Sequence, residues 1–257
     1  MDAISIKLKK LYVQSSKHSN YQVLSKKLKN IINDDEIIVK SRNEQERLAF
    51  ILENIDVKDK TILDIGGNCG YFTFELIDKG ALNVCIFEGN QIHSEFVETA
   101  AKALQISDKI NVQNKYFQFD FTGEQKYDIT LLLNVLHHLG DDYGDNRISM
   151  DEAKREMLKQ LNSVANYSDL IIFQLGFNWK GDRSCCLFEN GTKTEMIDFI
   201  STGTKDYWEI IKIGIAENVL GKIKYREINA HNVERHDIIG EFLNRPIFLM
   251  KSKRINV

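Results

Sequence analysis

A short glycine-rich stretch carries the clearest chemical signal in this sequence. It reads Asp64-Ile-Gly-Gly-Asn-Cys-Gly70 and continues the apolar segment Thr61–Ile65. Glycines have no Cβ, so a ligand can approach the backbone closely at such a turn. In open α/β sheets, ligands bind where a parallel strand turns into its helix. We therefore predict a ligand site formed by Gly66, Gly67, Asn68 and Gly70.

Two acidic residues indicate what that ligand could be. Glu88 ends the next predicted strand, 18 residues after Gly70. A carboxylate there can accept two hydrogen bonds from a ribose diol and would reject a 2′-phosphate. Asp64 lies at the glycine turn, where it would repel a pyrophosphate but would attract a cation. The pattern favours an adenosine-type cationic ligand, and S-adenosylmethionine carries both an ammonium and a sulfonium.

Two adjacent histidines, His137 and His138, follow the predicted strand Tyr127–Leu133. Imidazoles titrate near neutral pH, so either could remove a proton from an attacking hydroxyl. Adjacent side chains cannot point the same way, and we predict that only one of them reaches an acceptor. The alternative is that one or both hydrogen-bond the loop backbone.

Three aspartates, Asp141, Asp142 and Asp145, come soon after the histidines. Such a cluster could hold a divalent ion. Gly140 and Gly144 are interleaved with it, which is more typical of a solvated loop. We therefore predict no metal site here.

A long connection, residues 175–191, leaves the last strand of the predicted parallel set. It contains Trp179, Lys180 and Arg183. Connections of this length without secondary structure are often functional. An aromatic ring with two cations suits a sugar or an anionic group. In the alternative interpretation, Trp179 packs the loop and the two charges are solvated.

The elements that would position these residues alternate between strand and helix. The predicted strands are Thr61–Ile65, Asn83–Phe87, Ile110–Phe117, Tyr127–Leu133, Asp169–Leu175, Lys222–Asn229 and Pro246–Lys251. Capping-box patterns at Ser41/Glu44 and Ser149/Glu152 predict the starts of two helices. The alternation predicts a Rossmann-like, doubly wound, mostly parallel α/β sheet of seven strands. Its last strand would be antiparallel.

Composition limits the remaining choices. The chain has 257 residues, of which 43% are hydrophobic, and its net charge is −3. No apolar run reaches the roughly 18–20 residues of a membrane span. The four cysteines show no Cys-x-x-Cys spacing, so we expect a reduced, cytoplasmic protein without a zinc ribbon or disulfide framework. We predict one domain at residues 41–257, preceded by a helical arm at residues 1–40.

The arm is basic, because residues 1–30 hold seven lysines and one aspartate. Its charge can be a solvated helical face or a surface that meets an anion. Its apolar residues, Ile4, Ile6, Leu8 and Leu11, could cover the active site or contact a second subunit. The sequence does not decide between these alternatives, and a homodimer stays open.

These features resemble the class I S-adenosylmethionine-dependent methyltransferases, whose first motif is hydrophobic-Asp/Glu-hydrophobic-Gly-x-Gly-x-Gly. Asp64, Gly66 and Gly70 match it, and Asn68 stands where the middle glycine is usual. Glu88 matches the acidic residue after the second strand. The sequence Asn134-Val-Leu-His-His138 is similar to the polar end of the family's fourth strand. The resemblance covers roughly residues 41–251.

The resemblance assigns roles to these residues. Gly66 and Gly70 would pack against the cofactor, S-adenosylmethionine, and Asp64 would face its methionine end. Glu88 would hold the ribose hydroxyls, and Asn134 would lie near the sulfonium. Arg42 could reach the methionine carboxylate or could be an exposed residue at the start of a helix. The segment after the third strand lacks the family's usual acidic residue, so the adenine contacts are not assigned.

The form of the histidine motif is closest to bacterial small-molecule and envelope-polysaccharide O-methyltransferases. The resemblance implies an enzyme that transfers a methyl group, in line, to an oxygen of a small acceptor. A sugar or anionic acceptor, such as a phosphorylated or nucleotide-linked precursor of capsule or lipopolysaccharide, would suit polysaccharide biosynthesis. The alternatives are an RNA (tRNA) methyltransferase and a non-catalytic methyltransferase-fold binding subunit. Nucleic acid is disfavoured, because the basic charge is modest and confined to one end.

Overall fold

The computed structural model describes residues 3–14, 17–19, 21–32, 39, 41–120 and 125–254. They fall into two compact units, Met1–Phe117 and Gln118–Val257. The division falls at Phe117, whereas the sequence predicts an arm that ends at residue 40. Parts of that predicted arm lie outside the described residues, at 1–2, 15–16, 20, 33–38 and 40.

The first unit contains three parallel strands in the order β3-β2-β1. The strands are β1 (Thr61–Ile65), β2 (Asn83–Phe87) and β3 (Ile110–Gln113). The helices are α1 (Ala3–Val13), α2 (Lys26–Ile32), α3 (Glu44–Asn54), α4 (Tyr71–Asp78) and α5 (Gln91–Ala103). The first two strands match their predicted bounds. The third ends four residues earlier than predicted, because the chain turns at Lys115, whose N–H donates to the carbonyl of Gln113.

The start of α3 differs from the prediction. The helix begins at Glu44 itself, after Asn43 with φ 55°, so Glu44 does not occupy the third position of a capping box. Ser41 Oγ instead donates to Glu44 Oε2 at 2.8 Å, and the backbone N–H of Arg42 donates to the same carboxylate. The buried glutamate therefore closes a loop ahead of the helix rather than capping its first turn.

The described part of the N-terminal arm packs on α5. Leu8 is fully buried and Leu11 is 8% exposed, whereas Ile6 is 57% exposed. The ring of Tyr12 lies 5.5 Å from that of Phe96, centroid to centroid. One apolar face of α1 is thus part of the core of the first unit.

The second unit contains five strands in the order β4-β5-β8-β6-β7. The elements are β4 (Tyr127–Leu133), α6 (Met150–Ser163), β5 (Ser168–Gln174), α7 (Lys193–Thr204), β6 (Trp208–Val219), β7 (Lys222–Glu227) and β8 (Ile247–Ser252). Strands β4 and β5 are parallel, and β8, β6 and β7 pair antiparallel. Ser149 and Glu152 form the predicted capping box at the start of α6.

The predicted Rossmann-like α/β fold is confirmed, but the strand count of seven is wrong. The described residues contain eight strands, and the additional one is β6. It pairs with β7 through a tight turn at Leu220 and Gly221, with φ angles of 53° and 81°. The turn sequence is not Asn-Gly or Asp-Gly, the usual signal for a two-residue hairpin turn, so the local sequence does not predict this hairpin.

In the part of the chain that the structure describes, no helix has the length and apolar character that a bilayer crossing requires.

Candidate functional site

The glycine turn between β1 and α4 requires unusual backbone conformations. Gly66, Asn68 and Gly70 all have positive φ, at 72°, 54° and 74°. Asparagine tolerates this region better than most residues with a Cβ, so Asn68 can replace the expected glycine. A Cβ on Gly67 would lie 2.3 Å from Cδ1 of Ile86, so this position requires glycine for a different reason.

Glu88 is held against this turn by two backbone donors. Its Oε2 accepts the N–H of Asn68 at 2.7 Å, and its Oε1 accepts the N–H of Asn90 at 2.8 Å. The Nδ1 atom of His93 lies 3.9 Å from Oε1. Burial lowers the pKa of His93 to about 4, so this histidine is neutral at pH 7. Glu88 is 9% exposed, and its carboxylate is therefore oriented and largely desolvated.

Asp64 lies at the end of β1 and is 4% exposed. The hydroxyl of Thr73 donates to its Oδ2 at 2.7 Å. Burial raises the pKa of Asp64 to about 6, the Thr73 bond opposes the rise, and the carboxylate of Glu88 adds to it. The two carboxylates repel one another beside a glycine turn. Together they form an anionic site, which fits a cationic ligand rather than a pyrophosphate.

The raised pKa of Asp64 predicts a pH-dependent stability difference. The folded protein holds this proton more tightly than the unfolded chain, so the contribution of Asp64 is present below about pH 4 and is lost as the pH rises through 6. Between pH 4.5 and pH 7.5 the wild type should therefore lose about 2 kcal/mol of unfolding free energy that Asp64→Asn does not lose. Urea unfolding at the two pH values measures the difference, and the exposed Asp108→Asn serves as a control. An equal difference at both pH values would mean that Asp64 is ionised throughout.

Arg42 is half-buried, and its guanidinium lies 4.7 Å from the ring centroid of Tyr21. Its side chain therefore has a defined position. Contact with a ligand carboxylate stays a prediction, and so do the roles of the other residues named for the cofactor.

In the second unit, Asn134 follows β4 with φ 63° and is fixed by polar contacts. Its Nδ2 donates to Gln174 Oε1 at 2.8 Å, and its Oδ1 accepts a bond of 2.8 Å from Nη1 of Arg245. Arg245 also makes a bidentate pair with Glu241, at 2.9 and 2.7 Å. The guanidinium holds the pKa of Glu241 below its ordinary value, against the opposing effect of burial.

Sequence reasoning missed Gln174, Glu241 and Arg245. The last two come more than a hundred residues after Asn134, in a segment that carries no motif. Only the antiparallel insertion of β8 beside β5 brings Arg245 to the end of β4. Pro246, just before that strand, is the one nearby signal that the sequence offered.

Removing this guanidinium should destabilise the second unit. Arg245→Met leaves the amide of Asn134 and the carboxylate of Glu241 without their shared donor, which should cost about 1–3 kcal/mol of unfolding free energy. The loss should shrink when Glu241→Gln is added, because the pair acts as one network. Urea unfolding of both single variants and the double variant tests this, with the exposed Arg155→Met as control. Additive losses would show that the two side chains are not coupled.

The two histidines have different environments. His137 is 2% exposed, and its Nδ1 accepts the N–H of Gly176 at 3.2 Å. A Cβ on Gly176 would lie 2.8 Å from the His137 ring, so the ring packs directly on the backbone. His137 therefore matches the alternative prediction, in which a histidine hydrogen-bonds the loop backbone.

His138 has a side chain that is 17% exposed, and its Nδ1 faces carboxylates. Oδ2 of Asp142 is 3.3 Å away, and Oδ2 of Asp141 is 3.8 Å away. A carboxylate at Nδ1 favours the tautomer in which Nε2 is the proton acceptor. The third aspartate of the cluster, Asp145, pairs with Arg147 instead. Of the two adjacent imidazoles, His138 is therefore the more exposed one and the one that lies beside carboxylates.

The loop at residues 175–191 is attached to the end of the β4 segment through Trp179. Its indole N–H donates to the carbonyl of Leu139 at 2.8 Å. Nζ of Lys180 lies 4.3 Å from the ring centroid of Trp179 and donates to the carbonyl of Asn146. Arg183 is exposed. Trp179 therefore packs the loop through its nitrogen, while Lys180 and Arg183 supply positive charge at the loop surface.

Comparisons with solved structures identify the fold. WbdD, a bifunctional kinase–methyltransferase, aligns with a TM-score of 0.54 and 15% identity over 82% of this chain and 41% of that chain. A WbdD structure with an ordered C-terminal bundle gives 0.58 and 16% identity over 98% and 42%. The fold that the chain shares with these structures is Rossmann-like. At these identities the similarity shows the fold alone, and the chain spans about two fifths of WbdD.

Other comparisons are more limited. No family model matches the chain. Uncharacterized protein 158B of Sulfolobus islandicus rod-shaped virus 1 is 35% identical over 68 residues, which cover 26% of this chain and 43% of the viral protein. The chain thus aligns with less than half of that relative. A candidate RNA methyltransferase from Pyrococcus horikoshii, PH1948, aligns over 97% of this chain and 96% of that chain at 13% identity, with a TM-score of 0.49. That score is too low to support an inference.

Proposed function

We propose that this protein is an S-adenosylmethionine-dependent methyltransferase. The observation that carries the proposal is the carboxylate of Glu88, which the N–H of Asn68 and the N–H of Asn90 orient beside a turn of left-handed residues. This arrangement provides acceptors for a ribose diol next to a backbone that a ligand can approach. The buried carboxylate of Asp64 adds the negative charge that a cationic donor requires.

The methyltransferase fold supports the proposal, and the charge of the turn argues against NAD as the ligand. A pyrophosphate would meet Asp64 and Glu88 at the turn, without a basic side chain in the motif to compensate them. S-adenosylmethionine supplies an activated methyl group on a sulfonium, which needs a nucleophile but no metal or redox partner. The residues of this chain must bind it, orient the acceptor and remove a proton.

We further propose that the acceptor atom is an oxygen and that His138 removes its proton. Asp142 would keep Nδ1 of the imidazole protonated, so that Nε2 receives the proton as the oxygen attacks. A small anionic or sugar-type acceptor is supported by the cations of the loop, Lys180 and Arg183. Precursors of capsule or lipopolysaccharide, in a cytoplasmic polysaccharide pathway, are acceptors of this class.

Calorimetry with S-adenosylmethionine and with NAD tests the cofactor. We expect micromolar binding of the sulfonium ligand and none of NAD, and the reverse result would overturn the proposal. Transfer of a labelled methyl group into a fractionated cell extract then identifies the acceptor without a guess. Label in RNA, together with RNA binding that weakens steeply with salt, would replace the small-molecule acceptor by a nucleic acid.

A further inference from the structure

A segment of the N-terminal arm lies across the glycine turn. The carbonyl of His18 accepts Nδ2 of Asn68 at 3.2 Å, and the carbonyl of Lys17 accepts Nδ2 of Asn90 at 3.3 Å. These are the two asparagines whose backbone N–H groups hold Glu88. Each asparagine therefore bonds the proposed ribose-binding carboxylate with its backbone and the arm with its side chain.

A third contact joins the same segment to α4. The helix follows Gly70, which has no side chain to cap it, and Oε1 of Gln22 accepts the N–H of Tyr71 at 3.1 Å. The hydroxyl of Tyr12 in turn donates to the carbonyl of Gln22. The arm thus supplies the side-chain acceptor at the start of the helix that the glycine turn leads into.

The segment is held at both ends. On one side, α1 is anchored to α5 by Lys7, whose Nζ lies 2.7 Å from Glu95 Oε1. On the other side, the N–H of Lys26 donates to Glu75 Oε1 of α4 at 2.7 Å. The stretch between α1 and α2 is therefore anchored by a helix on each side. Hydrogen bonds from Asn68 and Asn90 bind its residues Lys17 and His18.

We propose that the described residues of this stretch, 17–19 and 21–22, form a strap that retains the bound cofactor, with Asn68 and Asn90 as the positioning residues that attach it. The inference rests on the proposed function. It also accounts for Asn68 at a position where the resembling family has glycine, because glycine could form the turn but could not bind the strap. Release of the adenosine end then requires these side-chain bonds to break.

The test removes the side-chain donors that bind the strap. Asn68→Gly keeps the positive φ and the N–H to Glu88. It removes the Nδ2 donor that binds His18 and also the Oδ1 atom that accepts the N–H of Cys69 inside the turn. Asn90→Ser keeps a good N-cap for α5 and removes the amide that binds Lys17. The exposed Asn30→Ser, in α2, is a matched control. Thermal unfolding of each variant shows whether the fold is retained.

The dissociation rate of S-adenosylmethionine is then measured by stopped flow. The double variant Asn68→Gly/Asn90→Ser should release the ligand about three- to tenfold faster than wild type, as expected for one or two neutral hydrogen bonds. In wild type, the ligand should slow hydrogen exchange of the strap amides, and in the double variant that protection should be reduced. Wild-type binding with unchanged release and protection in the double variant overturns the strap alone. Failure of wild type to bind the ligand overturns the proposed function and the strap with it.

Discussion

Replacing His138 by alanine is expected to lower kcat at least tenfold while leaving the affinity for S-adenosylmethionine unchanged. A positioned base contributes about 10²–10⁴-fold when the attacking group must lose a proton. His138 has a partly exposed ring with Nδ1 facing Asp142, which suits that role. The rate is measured with the acceptor that the labelling experiment identifies, and cofactor affinity is measured by calorimetry.

Two further variants make the result specific. His137→Ala should lose stability, because its buried ring packs on Gly176. Any loss of activity in His137→Ala should match the fraction of the protein that has unfolded. His231→Ala removes an exposed imidazole and should change neither rate nor stability. A base must be deprotonated to act, so we expect kcat of the wild type to fall at low pH and this fall to be absent in His138→Ala. Full activity of that variant would show that His138 is not the base.

Glu88→Gln is expected to weaken S-adenosylmethionine binding by about 1–3 kcal/mol, or roughly 5- to 150-fold in Kd. The substitution preserves size but removes the negative charge and replaces one acceptor by a donor. That donor must then face either the ribose hydroxyls or the N–H groups of Asn68 and Asn90, which are donors themselves. The amide cannot satisfy all of these partners.

Calorimetry of the Glu88→Gln variant measures the effect, and Glu98→Gln, exposed on α5, controls for the loss of a charge in the same unit. The catalytic rate at saturating cofactor should change much less than the affinity, since Glu88 has no proposed part in proton transfer. If Glu88→Gln binds the cofactor as tightly as wild type, the ribose contact is assigned to the wrong residue.

The sequence predicted the first two strands and β4 to the residue, because each is a short apolar run that ends in a glycine or a polar residue. Their buried side chains and parallel pairing follow from that pattern. β6 was missed, because charged residues interrupt its apolar pattern and its hairpin turn uses Leu220-Gly221. The false capping box at Ser41 shows the opposite error: the correct residue types form hydrogen bonds there, but the helix begins at Glu44, two residues later than the box predicts.

For the candidate site, the sequence named Asp64, Glu88 and the glycine turn from residue type and spacing alone. It could not separate His137 from His138, because that distinction depends on Gly176, a residue of another loop. Nor could it find Arg245 or Gln22, whose contacts join positions 111 and 49 residues apart in the sequence. Long-range hydrogen bonds leave no local pattern in a sequence.

Each of the helices α2 and α4 has its first backbone N–H group bonded by a side chain from the other helix or from the residues just before it. Gln22, just before α2, accepts the first N–H of α4, and Glu75 of α4 accepts the first N–H of α2. Melting either helix would therefore leave the other with an unsatisfied end. The amino-terminal residues and the glycine turn should consequently open as a single foldon, so removing residues from the amino end should destabilise the glycine turn.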